Sequence, residues 1–240
     1  MSTRKDIIDG KDSGTATYGL VYSCTCGWID LGHANPAGKD GVRALWKQFT
    51  SAPSPTAGSG YKVTYRQKMS KTVSVVTVSA KYEKVYWVST KLTKKQKEQV
   101  ALAIFLEVSH GFETMQSNVV FREVTDSGYS VEDLVSNLIG FYRAVRALDY
   151  VHLCKPVSKE AALKVWDEFG SVGSHKNRFE NVVSLFPCSE CGVIGGPMCS
   201  PIPMELTEII PAVKGSLFRE WTLADSTSKI KDGIKSYLKR

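Results

Sequence analysis

The sequence has no apolar run of membrane-spanning length, few cysteines for its size and no internal repeat. Its longest apolar stretch, residues 100–106, is far shorter than the roughly 20 residues that a transmembrane helix needs. Asp6, Asp9 and Asp12 stand where a signal peptide would carry its apolar region, so we expect no standard signal peptide. Six cysteines among 240 residues exclude a small scaffold built on disulfides.

The composition is that of an ordinary globular protein with a positive net charge. Hydrophobic residues make up 42% and charged residues 23%, which excludes disordered and coiled-coil classes. The net charge of +7 is scattered apart from clusters at 94–97 and in the C-terminal tail, so a solvated cationic surface is one interpretation. The other is an acidic partner, such as an acidic protein, a cell wall or a membrane surface. We expect no nucleic-acid binding, because no basic segment is interleaved with stacking aromatics.

The pattern of elements predicts one α+β domain over residues 1–240, with a core at 1–150 and a helical, irregular, Cys- and Pro-rich part at 151–240. Three runs rich in Val, Thr, Tyr and Trp predict a small antiparallel meander of strands at 61–67, 72–80 and 82–90. Several helices are expected to pack on it. They begin near Val42, at a Thr93/Gln96 capping box, at Ser130 and at Ser158, and a further helix is expected at 175–186.

The C-terminal part contains a candidate structural zinc site. Cys188, Cys191 and Cys199 have the spacing of a zinc knuckle that lacks one ligand, which Cys154 or His175 would supply. Buried thiols or a disulfide are the alternatives. The chemistry considered below requires no cofactor.

The first candidate catalytic cluster is Tyr22-Ser-Cys-Thr-Cys-Gly-Trp-Ile-Asp-Leu-Gly-His33. If a helix begins near Gly27, Cys24 lies just before its N-terminus, where the helix dipole stabilises a thiolate. Asp30 and His33 would then share a helix face, with the carboxylate orienting the imidazole. In the structural alternative, Cys24 is a buried small hydrophobe and Asp30 serves the helix start.

Two further clusters lie on predicted helices. Glu107, His110 and Glu113 or Thr114 are spaced to form one stripe, which is typical of a metal-binding pair or of a buried histidine bonded to a carboxylate. The third cluster follows Tyr129 and contains Ser130, Glu132, Asp133, Ser136, Asn137 and Gly140. Capping explains its first residues, whereas Asn137 and Gly140 indicate a place where another element or a ligand comes close.

In this order the clusters resemble a bacterial family of unknown function whose members are often lipoprotein-like. Its motifs are Tyr-x-Cys-x-x-Gly-aromatic-Ile-Asp-x-x-His, a helical His-x-x-x-Thr, and Ser-x-Glu-Asp-Leu-x-Ser-Asn-Leu-x-Gly. The first motif matches residues 22–33, the second matches His110 and Thr114, and the third matches residues 130–140. The resemblance therefore covers roughly the first 150 residues. The chain differs in having Gly111 where the family usually has Glu, and we expect no lipoprotein signal. The resemblance implies a shared site and names no reaction.

The residues themselves predict a cysteine-dependent hydrolase or acyl-transfer enzyme that acts on an amide bond in a peptide, a protein side chain or a cell wall. Cys24 is the expected nucleophile and His110 or His33 the base. Asp30, Glu132 or Asn137 would orient the base. The substrate would meet Glu107, Thr114, Glu132, Asp133 and Ser136. The expected setting is a bacterial toxin effector secreted without a signal peptide, or alternatively a cytoplasmic enzyme. The other two hypotheses are a metal-dependent hydrolase using His33 and His110, and a non-enzymatic binding or immunity-type domain.

Overall fold

The structure, a computed structural model, describes most of the chain. The described residues are 3–23, 25–37, 41–51, 55, 58–73, 76–117, 131–146, 148–171, 203–223 and 225. The predicted helix at 175–186 lies outside these ranges. Within them, no helix combines the length and the apolar character needed to cross a bilayer.

The fold is α+β with antiparallel sheets, as predicted. The strands are β1 (Leu20–Ser23), β2 (Gly27–Asp30), β3 (Gly60–Val73), β4 (Val76–Ser89) and β5 (Phe218–Glu220). The helices are α1 (Val42–Thr50), α2 (Lys94–Ser117), α3 (Val131–Val145), α4 (Tyr150–Leu153) and α5 (Lys159–Phe169). Short 3₁₀ turns lie at Arg4–Asp6, Gly10–Asp12 and Met204–Leu206.

The chain forms two compact units, each made of two separate stretches. The first unit contains Met1–Ala37 and Glu113–Glu208. Its core surrounds the β1–β2 hairpin, in which the Trp28 ring lies edge-on to the rings of Tyr22 and Trp166, with centroid distances of 5.1 and 5.7 Å. Tyr22, Trp28 and Trp166 are buried together with Ile7, Leu20, Val157, Ala162 and Val165.

The second unit contains Gly38–Phe112 and Ile209–Arg240, and is built on the sheet β3-β4-β5. Helix α1 lies beside β3, where the Gln48 amide donates to the Thr64 carbonyl (2.9 Å) and accepts from the Thr64 N–H (3.0 Å). Helix α2 covers one sheet face, where the Phe105 ring lies 6.1 Å from that of Tyr65. Gln48 therefore satisfies the backbone of one residue on the outer edge of β3, and β5 pairs with Tyr86, Trp87 and Val88 on the outer edge of β4.

The prediction of three strands between residues 61 and 90 is wrong. The structure has one long hairpin, in which Gly60 pairs with Ser89 and Val73 with Val76. The predicted break near Ala80 lies inside β4, where Ala80 pairs with Met69 and Lys81 with Lys68. The third strand of the sheet is β5, which comes from residues 218–220.

The predicted caps of two helices are confirmed. At the start of α2, the Thr93 hydroxyl accepts from the Gln96 N–H (3.3 Å) and the Gln96 side chain accepts from the Thr93 N–H (3.0 Å). At the start of α5, the Ser158 hydroxyl accepts from the Ala161 N–H, and Gly170 ends that helix with a φ of 86°. Both helices begin where their capping side chains satisfy backbone donors that have no partner within the helix.

Candidate functional site

The cysteine motif lies at the tip of a hairpin and not at a helix N-terminus. Gly27 begins β2 and pairs with Ser23, and its φ of 71° allows the tight turn between the strands. Tyr22 and Val21 pair with Trp28 and Ile29, residues that favour extended backbone. The predicted helix at Gly27 is therefore wrong, and with it the stabilisation of a Cys24 thiolate by a helix dipole.

The hairpin tip is fixed to the segment that follows α4. Cys26 and Cys154 form a disulfide, with their Cα atoms 5.8 Å apart. The Ser23 hydroxyl donates to the Cys154 carbonyl, as does the Thr25 hydroxyl over 2.7 Å. The Ser23 hydroxyl also accepts from the N–H groups of Thr25 (3.2 Å) and Cys26 (3.0 Å). Ser23, Thr25, Cys26 and Cys154 are buried, so a disulfide and two hydrogen bonds shielded from water join the tip to the Cys154 segment.

The disulfide corrects one of the predicted ligand sets. Cys154 is bonded to Cys26 and therefore does not supply the fourth ligand of the zinc site predicted in the C-terminal part. Cys188, Cys191, Cys199 and His175 lie outside the described residues. In the part of the chain that the structure describes, no three His, Cys, Asp or Glu side chains are grouped closely enough to hold a metal ion.

Cys24, the predicted nucleophile, lies outside the described residues, between Ser23 and Thr25. His152 precedes Cys154 by two residues, so the disulfide fixes its chain segment to the tip; the His152 side chain is exposed. Lys155 follows Cys154 and is also exposed; its φ of 52° places it in the left-handed region. The sequence does not single out His152, because apart from the possible zinc knuckle no carboxylate or cysteine pattern surrounds it.

Asp30 and His33 belong to a turn at the other end of the hairpin. The Asp30 carboxylate accepts from the N–H groups of Gly32 (2.7 Å) and His33 (3.2 Å). The prediction that Asp30 and His33 share a helix face is wrong, because Asp30 ends β2 and residues 31–34 form a turn. The carboxylate holds the backbone of His33 in place, while the His33 side chain is exposed.

Helix α3 holds this turn with three residues of one face. The Ser136 hydroxyl accepts from the Asp30 N–H (2.9 Å), and the Arg143 guanidinium donates to the Ala34 carbonyl (3.1 Å). Between them, a Cβ on Gly140 would lie 2.9 Å from the His33 carbonyl oxygen. The first and third motifs are thus in direct contact, and Gly140 allows the close approach that the sequence indicated.

The remaining predicted residues of α3 lie on the same helix. Asn137 follows Ser136 and is half-buried. Glu132 and Asp133 lie within the first turn of α3, and their side chains are outside the described part of the structure. Of this motif, Ser136 and Gly140 therefore have an observed role, which is to position the Asp30–His33 turn.

The middle motif lies on α2, and its Glu107 and His110 belong to the second unit. One Glu107 oxygen accepts from the ammonium groups of Lys84 (2.6 Å) and Lys214 (2.8 Å), and both lysines also reach Glu220 (3.0 and 2.9 Å). Burial raises the pKa of Glu107, but the two ammonium groups outweigh it and hold that pKa below its usual range. Glu107 therefore links the helix to β4 and to the segment before β5.

The neighbouring residues of α2 explain one difference from the family motif. A Cβ on Gly111 would lie 2.4 Å from two ring atoms of Tyr82, so the tyrosine occupies the space of a side chain at this position. His110 is exposed, and the side chains of Glu113 and Thr114 lie outside the described part of the structure. The glycine at 111 is thus a packing feature of this chain.

The candidate residues of the first unit occupy two places. Gly27 and Asp30 are at opposite ends of β2. The rise per residue of a β-strand puts them about 10 Å apart. The tip has the disulfide, His152 and Lys155, and the other end has the turn with His33. The tip is the place where a nucleophile would have a fixed backbone on both sides.

Comparison with known proteins identifies the family alone. A family model described as "Protein of unknown function (DUF4056)" matches residues 2–163. No curated protein and no solved structure matches the chain. The expectation of an uncharacterised domain family is confirmed, and the matched range includes both parts of the hairpin-tip site.

Proposed function

Since the chain belongs to the DUF4056 family, whose matched range includes the hairpin tip, we propose that it is a cysteine-dependent hydrolase or acyl-transfer enzyme acting on an amide bond. The observation that carries this proposal is the locked tip, in which Ser23, Thr25 and Cys26 are all bonded to Cys154. A nucleophile needs a backbone that does not move during attack, and Cys24 has such neighbours on both sides.

Cys24 is the nucleophile of the proposed reaction. Its sulfur attacks the amide carbonyl carbon, a base takes the thiol proton and passes it to the leaving amine, and the C–N bond breaks to give a thioester. Water in a hydrolase, or an amine in an acyl-transferase, then releases the acyl group. The cationic side chain of Lys155 lies on the segment bonded to the tip, where a positive charge favours the thiolate form of Cys24.

Three histidines are candidates for the base. His33 and His110 come from the motifs, and His152 comes from the structure. His152 is favoured because the disulfide fixes its chain segment to the tip, whereas His33 lies beyond the far end of β2. In this arrangement Asp30 and Ser136 position the turn of His33, and they support substrate binding at that end of the hairpin.

The disulfide also bears on where the enzyme works. Disulfides persist in oxidising compartments and are rare in the cytosol, so the Cys26–Cys154 bond favours the secreted, effector-type setting over the cytoplasmic alternative. Reduction would free the tip from the Cys154 segment except for the Ser23 and Thr25 hydrogen bonds. We therefore propose that the active form is the oxidised one.

The test is the pH dependence of Cys24 alkylation by iodoacetamide in the oxidised, full-length protein, with the modified cysteine located by mass spectrometry. We expect Cys24 to react with an apparent pKa clearly below the ordinary value of about 8.5. His152→Asn should raise that apparent pKa, while His33→Asn, a matched change at the other end of the hairpin, should leave it unchanged. Metal analysis of the same samples tests the metal-dependent alternative.

A Cys24 that reacts only above pH 8.5, or that does not react, would contradict the thiol mechanism. Such a result would favour the non-enzymatic binding domain, which the roles of Ser136 and Gly140 in packing α3 on the turn independently support. If the apparent pKa of Cys24 is low and His152→Asn does not change it, Cys24 remains the proposed nucleophile and His152 is excluded as its base.

A further inference from the structure

The N-terminal segment of the chain contacts residues 154–157, the Cys154 segment that the disulfide joins to the hairpin tip. The Gly10 N–H donates to the Val157 carbonyl over 3.0 Å. A Cβ on Gly10 would lie 2.4 Å from that oxygen and 2.6 Å from the Pro156 carbonyl oxygen. Gly10 is buried, and both oxygens belong to the backbone, so no rotation of a side chain would relieve the overlap. Glycine therefore allows the N-terminal segment to approach the Cys154 segment this closely.

The Cys154 segment is held on its other side by β1 and by the tip. The Val157 N–H donates to the Tyr22 carbonyl over 2.8 Å, and Pro156 forms a β-bridge with Ser23. At the start of the segment, the disulfide and the two hydroxyl hydrogen bonds described above fix it to the tip. The Cys154 segment therefore lies between the N-terminal segment and the hairpin, and a larger residue in the N-terminal segment would press it against the tip.

The N-terminal segment is itself anchored at two places. The Ile8 N–H donates to the Leu20 carbonyl over 3.1 Å, and the buried residue Ile7 forms a β-bridge with Leu20. The Asp9 carboxylate accepts from the N–H of Lys159, the first residue of α5, over 3.3 Å. The segment is thus bonded to the start of β1 and to the start of α5, and it supports the Cys154 segment from a fixed position.

The backbone of Lys155 depends on these contacts. Its φ of 52° lies in the left-handed region, which a residue with a Cβ adopts when its surroundings impose it. Its two neighbours both contact Ser23, since the Cys154 carbonyl accepts the Ser23 hydroxyl and Pro156 forms the β-bridge. The Lys155 side chain is exposed, so the direction in which its ammonium group leaves the backbone is set by residues that Gly10 supports.

We propose that Gly10 is a positioning residue of the hairpin-tip site, because its close contact keeps the Cys154 segment against the tip. The inference rests on the proposed function, in which His152 and Lys155 serve the Cys24 thiol. A misplacement of about 1 Å at a catalytic group costs about 10²-fold in rate, so a support of this kind matters to the reaction. Gly10 acts through the residues that it supports.

The test compares Gly10→Ala with Gly19→Ala in the oxidised, full-length protein, by the pH dependence of Cys24 alkylation with iodoacetamide. A Cβ on Gly19 would also meet the N-terminal segment, 3.0 Å from a side-chain carbon of Ile8, and its φ of 124° disfavours alanine. Gly19 precedes β1, at the end away from the tip. We expect Gly10→Ala to raise the apparent pKa of Cys24 by about one unit, and Gly19→Ala to leave it unchanged. Melting temperatures show that both variants fold.

A second pair of variants repeats the test without a steric overlap. Asp9→Ala removes the carboxylate that holds the N-terminal segment to α5, whereas Asp6→Ala removes an equal charge that accepts from Thr3 within the segment. We expect the apparent pKa of Cys24 to rise by about half a unit in Asp9→Ala and not in Asp6→Ala. Loss of a negative charge alone would instead lower that pKa in both variants.

Hydrogen–deuterium exchange at residues 152–157 separates this inference from the proposed function. In Gly10→Ala we expect exchange there to rise at least about fivefold more than exchange at residues 27–30. Equal rises in the two peptides, or equal pKa shifts in the two glycine variants, would overturn the positioning role and leave Cys24 as the proposed nucleophile. An ordinary apparent pKa of Cys24 in the wild-type protein would contradict the proposed function, and the exchange ratio would then decide alone whether Gly10 holds the Cys154 segment.

Discussion

Replacement of Cys26 and Cys154 together by alanine is expected to lower the free energy of unfolding by about 3–5 kcal/mol. The disulfide closes a loop with a sequence separation of 128, and a loop of that length restricts the unfolded chain by about 5 kcal/mol in the chain-entropy treatment. Both cysteines are buried, so small apolar residues fit in their place. For a chain of this size the change corresponds to a fall in melting temperature of about 6–20 °C.

The assay is urea and thermal unfolding of the oxidised protein and of the double variant, without reductant. Cys24→Ala is the matched control, because it removes a neighbouring thiol and leaves the disulfide in place. Reductant should lower the stability of the wild-type protein and leave that of the double variant unchanged. A double variant within about 1 kcal/mol of the wild type would refute the reasoning, since the unfolded chain would then gain little freedom.

Two further predictions concern packing and pH. Gly140→Ala should lower the free energy of unfolding by about 1 kcal/mol net, because the overlap of its Cβ with the His33 carbonyl (about 1–3 kcal/mol) exceeds the helix propensity gained. Gly215→Ala, which adds a Cβ in open space, should change stability by less than about 0.5 kcal/mol in the same urea assay. Equal losses of stability in the two variants would contradict the argument. Hydrogen bonds from Lys214 and Lys84 lower the pKa of Glu220 from 4.5 to about 2, so Glu220 contributes stability above pH 4.5 that is lost as the pH falls toward 2. Glu220→Gln should therefore flatten the fall in melting temperature between pH 4.5 and 2, and parallel curves for variant and wild type would show that the ion pairs add no stability.

Local signals predicted much of the fold. The capping box of α2, the Ser158 cap of α5 and the apolar periodicity of both helices depend on residues a few positions apart, and both helices begin at the predicted residues. The strand count failed because strand pairing depends on distant residues. β5 has three residues and is stabilised by its pairing with β4 across more than 100 positions of sequence, which periodicity does not reveal.

For the candidate site too, local features were predicted from the sequence and features that depend on distant residues were not. Gly140 was recognised from its place on a helix face, and the structure explains it by the close approach of the His33 carbonyl. The tip was misread because Asp30 was interpreted as serving a helix that starts near Gly27, whereas Trp28 and Ile29 favour extended backbone and pair with β1. His152 was missed because its relevance depends on which cysteine bonds to Cys26, and sequence alone does not give disulfide connectivity.

The pairing of β5 with β4 has a practical consequence for how this protein is divided. The family match ends at residue 163, and a chain cut there would seem a natural minimal domain. Such a chain would lose Phe218 from the sheet core and Lys214 and Glu220 from the Glu107 network, and it would expose the edge of β4. Because an exposed strand edge invites pairing between molecules, the shortened protein should aggregate, and the family boundary is not a folding boundary.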